Sequence, residues 1–104
     1  MANIGMQTLN RRAAKLDAAG AEAIAAQALG FLAHEPRRLM AFLVATGLEP
    51  ADVRQRVDSP EFLAAVLDFV SRDESLLIVF AAEAGLPPER VAAAAIILTG
   101  DHPS

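Results

Sequence analysis

The punctuation of this chain repeats. Sliding the sequence against itself by 38 residues places Gly47 on Gly85, Leu48 on Leu86 and Pro50 on Pro88. The same shift pairs Leu29 with Leu67, Phe31 with Phe69, Leu39 with Leu77, Phe42 with Phe80 and Val53 with Val91. Glycine supplies the left-handed residue that ends a helix, and proline fits the first turn of the next. A chain with those marks at one fixed offset turns at the same places twice. It reads as two copies of a three-helix unit, over residues 22–57 and 60–95. Two copies are too few for an open solenoid, so the units are expected to pack on each other.

Between the marks the local chemistry is helical. Alanine dominates, β-branched residues are few, and no strict apolar–polar alternation persists. A first helix over 21–34 stops before Pro36, because the residue preceding proline avoids the α region. Pro36 opens a second helix that Gly47 ends, and Pro50 opens a short charged third to about Val57. Ser59-Pro60 is a hydroxyl cap followed by proline at the first helical position. It starts a fourth helix whose Phe62, Leu63, Val66, Leu67 and Val70 form one apolar stripe. Asp73 caps a fifth helix that ends at Gly85, and Pro87-Pro88 begins a sixth that stops at Gly100. The reading is an all-α, compact six-helix globule built from two tandem three-helix repeats. It occupies one domain over 21–100, with tails at 1–20 and 101–104.

Stretches 39–45 and 76–82 are apolar all round, the pattern of a helix surrounded by others. They predict two central, buried helices. Gly30 falls inside the first helix, where glycine is about 0.8–1.0 kcal/mol worse than alanine. Close approach of another helix is the expected compensation.

Composition bounds the function. The chain has 104 residues, 54% of them hydrophobic, which suffices for one real core. With a formal charge of −4, generic polyanion binding starts at a disadvantage. Cysteine is absent, which removes disulfides, thiolate metal sites and thiol nucleophiles together. The longest apolar runs, 76–82 and 91–98, fall well short of the roughly 18 residues of a membrane span. The first 20 residues carry Arg11, Arg12 and Lys15 but no apolar signal region, so a cytoplasmic protein is expected.

The strings Ala28-Leu29-Gly30-Phe31-Leu32, Thr46-Gly47-Leu48-Glu49-Pro50-Ala51-Asp52 and Phe62-Leu63-Ala64-Ala65-Val66-Leu67-Asp68-Phe69, followed by Asp73-Glu74-Ser75-Leu76-Leu77, stand in this order. The order resembles a small alphaproteobacterial family known as domain of unknown function 3572. The resemblance covers residues 21–98 and implies a small cytoplasmic helical protein from a bacterium. It carries over no activity, cofactor or catalytic residue.

Signatures of chemistry are thin. His34 and His102 are the only imidazoles, no paired metal-ligand spacing occurs on a helix, and the glycines stand singly at or within helices. No catalytic, cofactor or metal residue is assigned, and His34 is read as complementing the C-terminal dipole of the first helix. Asp68 and Arg72 are spaced i, i+4 and read as an exposed ion pair worth about 0.3–0.5 kcal/mol. Asp73 and Glu74 stand where capping and the helix dipole account for them.

Two function classes remain. The first is a non-catalytic interaction module that binds itself, as a homodimer, or another protein. Its expected surface is the sixth helix. There Val91, Ala94, Ala95 and Leu98 suffice to cover the core, leaving Ala93, Ile96 and Ile97 outside. The N-terminal segment, through Ile4, Met6 and Leu9, is the alternative cover for that strip. The second class is a DNA-binding regulator with a degenerate helix-turn-helix around Gly47, reading through Arg54 and Arg56. It is disfavoured by Glu49, Asp52 and Asp58 beside those arginines. The corresponding helix after Gly85 carries only aliphatic residues over 91–98, which cannot read bases.

Overall fold

A computed structural model describes residues 16–100 and, among them, six helices and no strand. They are α1 (Ala18–His34), α2 (Pro36–Thr46), α3 (Pro50–Arg56), α4 (Pro60–Arg72), α5 (Glu74–Ala84) and α6 (Pro88–Thr99). The all-α expectation stands. Basic residues 11, 12 and 15, the segment of Ile4, Met6 and Leu9, and His102 lie outside the described residues.

The boundaries follow the local signals. Ser59 Oγ accepts from Phe62 N–H at 3.3 Å and donates to Glu61 Oε2 at 2.8 Å. That hydroxyl bond holds the Glu61 carboxyl below its ordinary value of 4.5. Asp73 Oδ1 accepts from Leu76 N–H at 3.1 Å to open α5. Glu49 and Asp52 form a reciprocal capping box at the start of α3. Gly47 and Gly85 close α2 and α5 with φ of 74° and 71°, a conformation that costs an L side chain about 1–2 kcal/mol. One boundary differs from the sequence reading, which left residues up to 20 as tail. Helix α1 begins at Ala18, because Asp17 Oδ1 accepts from Gly20 N–H at 2.8 Å and caps it.

The register of 38 holds at the level of local structure. Helix α2 spans 36–46 and α5 spans 74–84; α1 ends at 34 and α4 at 72; α3 starts at 50 and α6 at 88. The kink residues also match. Glu35 N–H donates to Leu32 O, and Asp73 N–H donates to Val70 O. Aromatic contacts exchange between the two halves: Phe42 of α2 meets Phe69 of α4 with ring centroids 5.4 Å apart, and Phe80 of α5 meets Phe31 of α1 at 5.3 Å. Each pair is the other with both partners moved by 38 residues in opposite senses.

The core corrects the expectation of central α2 and α5. Helices α1, α4 and α6 make the most extensive contacts with one another. Small residues explain this: Ala21, Ala25 and Ala28 on α1 and Ala94 and Ala95 on α6 are buried, so the helix axes can approach closely. Around them pack Ile24, Leu32, Phe62, Val66, Leu67, Val70 and Val91. Helices α2 and α5 lie outside this trio. Each fully buries one phenylalanine, Phe42 or Phe80, with Leu43 or Ala81 beside it, and half-buries Leu39 on α2 or Leu76, Leu77 and Ala84 on α5 against the core. An all-round apolar helix is covered only where neighbours reach it, and here they reach one side.

Candidate interaction surface

Among the described residues, most of the large apolar side chains that stand exposed lie on α2 and α5. Met40 is 61% exposed and Val44 75% on α2; Ile78 is 51% and Val79 40% on α5. Arg37, Met40, Ala41 and Val44 follow i, i+3, i+4, i+7 and form one exposed stripe of α2. Ser75, Ile78, Val79 and Ala82 occupy the same four positions, 38 residues on, along α5, and all are exposed. Sequence reasoning missed these residues. The signal was present, since a helix apolar on every side has more apolar faces than a six-helix domain can cover.

The two helices carry opposite charges, with Arg37 on the α2 stripe and Glu83 beside the α5 stripe. Helix α2 carries Arg37 and Arg38 and no acid, while α5 carries Glu74 and Glu83 and no base. Arg38 is engaged within the domain, its guanidinium 4.3 Å from the centroid of the Phe31 ring. Arg37 and Glu83 are exposed. A shallow apolar depression beside the α2 stripe is lined by Met40, Leu43, Val44, Gly47 and Leu48.

The surface expected on α6 is only partly outside. Ala93 is exposed and Ile96 is 44% exposed, but Ile97 is half-buried and packed against the core. The face of α6 that meets α1 and α4 is wider than Val91, Ala94, Ala95 and Leu98, because the helix lies between two neighbours. Arg54 and Arg56 are exposed in the last turn of α3, where they complement its C-terminal dipole. Helix α3 has seven residues and no buried side chain.

His34 stands exposed in the last turn of α1, as its reading as a dipole complement requires. It also borders an open groove of about 440 Å³ between α1 and α5. Gln27, Gly30 and His34 form one wall and Glu83 stands on the other, with Phe31 and Phe80 beneath. Gly30 corrects its expectation. A Cβ there would meet nothing within 4 Å, so no helix of this domain needs the glycine. At the two matching positions of α4 stand Asp68 and Arg72, joined as an ion pair with Nε to Oδ2 at 2.9 Å. One copy of the position is thus filled by a side-chain pair and the other is open. Among the described residues no group of three His, Cys, Asp or Glu could hold a metal ion, and no helix is long and apolar enough to cross a membrane.

No curated protein and no solved structure matches the chain. A family model described as a protein of unknown function (DUF3572) matches residues 18–101. That span takes in every helix from α1 to α6, together with both stripes, the groove and the core that carries them. The chain therefore belongs to the DUF3572 family.

Proposed function

We propose that this domain is a non-catalytic, self-associating interaction module whose contact surface lies on the outer faces of α2 and α5. The observation that carries the reading is the exposure of Met40, Val44, Ile78 and Val79 on two matched stripes. Apolar patches on a small domain mark contact surfaces, and association is the ordinary way to cover them. Ala93 and Ile96 on α6 form a smaller outward patch and are secondary in this reading. Two tandem three-helix units underlie the surface, supported by the shared boundaries and the exchanged phenylalanine contacts.

Sedimentation velocity of the full chain over a wide concentration range tests the reading. A mass that rises from monomer as concentration increases supports it. A monomer throughout, up to high micromolar concentration, sinks it.

A further inference from the structure

We propose that the occupant of the α2 stripe is the α5 stripe of a second copy, packed antiparallel, so that each copy offers two different and complementary faces. This rests on the self-association reading and specifies its geometry. Three observations carry it.

The first is charge. Helix α2 holds only bases and α5 only acids. With Arg38 engaged on Phe31, the exposed charges that meet in an antiparallel α2–α5 contact are Arg37 on the α2 stripe and Glu83 beside the α5 stripe. These are unlike, whereas α2–α2 and α5–α5 contacts join like ones. The second is position. Arg37 lies at the start of its stripe and Glu83 at the end of α5, so antiparallel packing brings them together at one end. It also aligns the two helix dipoles in opposite senses. The third is shape. Both stripes follow i, i+3, i+4, i+7, and each carries one exposed alanine, Ala41 at the third position of one and Ala82 at the fourth of the other, beside the larger Met40, Val44, Ile78 and Val79. Alternating small and large side chains let two helices interdigitate. Because the faces differ, the contact is head-to-tail unless α2 and α5 of two copies engage reciprocally.

A charge exchange tests this with every altered side chain on the surface, so folding is not at stake. Arg37→Glu gives a copy with acids at both position 37 and position 83, and Glu83→Lys gives one with bases at both. Each variant alone should associate roughly tenfold more weakly than the parent, the conversion of about 1.4 kcal/mol of altered charge pairing. An equimolar mixture should return to the parent's affinity, since every contact in a mixed pair again joins unlike charges. Sedimentation velocity of the parent, the two variants and their mixture reads this directly.

Recovery in the mixture establishes the α2–α5 pairing. Parent-like association by either variant alone, or a mixture no tighter than its components, overturns it and leaves self-association itself standing. A parent that never associates removes both.

Discussion

The two halves of this domain turn at the same residues but end differently. Helices α1–α2–α3 and α4–α5–α6 share, at an offset of 38, the ends of their first helices, both ends of their second, the starts of their third and the left-handed Gly47 and Gly85. Their third helices diverge: α3 has seven residues and buries none, while α6 has twelve and buries Val91, Ala94 and Ala95. The reason is in the side chains. After Pro50 the polar Asp52, Arg54, Gln55 and Arg56 leave only Val53 half-buried against the core; after Pro88 come Val91, alanines and isoleucines, of which Val91, Ala94 and Ala95 are buried. The consequence reaches the first helices. Ala64 and Leu67 of α4 are buried, whereas Ala26 of α1 is exposed and Leu29 only half-covered. Equal punctuation therefore fixes where a chain turns, and unequal side chains decide which helix becomes central.

The most damaging way to probe the equivalence is to remove its matched anchors. Phe42 and Phe80 are almost wholly buried, and each crosses to the first helix of the other half. Phe42→Ala and Phe80→Ala should each lower unfolding free energy by about 3–5 kcal/mol, as deletion of buried phenylalanine does. Chemical denaturation of both variants checks this. Similar losses support equivalence; one large loss beside one negligible loss breaks it.

Gly30 probes the difference between the halves. Its Cβ position is open, so Gly30→Ala should raise stability by about 0.8–1.0 kcal/mol through helix propensity alone. A loss of stability in thermal melts would show that the open wall of the groove is tighter than its geometry indicates.

Glu61 gives the smallest effect and belongs to one half only, since its counterpart is Ala23. Its lowered carboxyl, bonded by the Ser59 hydroxyl, contributes stability above its unfolded value that is lost as pH falls through the folded one. Glu61→Gln should therefore flatten the acid limb of the stability curve slightly and leave neutral pH nearly unchanged. A steeper acid limb would contradict the bond.

Much of this was legible in the sequence. Gly47, Gly85, Pro50 and Pro88 act through backbone restrictions that hold in any context, and so the boundaries were readable. The Asp68–Arg72 pair was readable because i, i+4 geometry is local. The centre of the core was not. Residues 39–45 and 76–82 are the most apolar stretches, yet burial depends on how many neighbours can approach, and the small side chains of α1 and α6 win that competition. The exposed apolar stripes of α2 and α5 are illegible in the sequence for the same reason. The sequence points to α6, where Ala93 and Ile96 are exposed and Ile97 is half-buried against the core, while Met40, Val44, Ile78 and Val79 stand exposed on the helices outside the central trio.

The most direct test of that account is residue-resolved. Amide spectra of the assigned protein, recorded across a dilution series, should show concentration-dependent shifts clustered at residues 37–45 and 75–83, with Ala93 and Ile96 unmoved. Shifts centred on Ala93 and Ile96, or none anywhere in the chain, would contradict it.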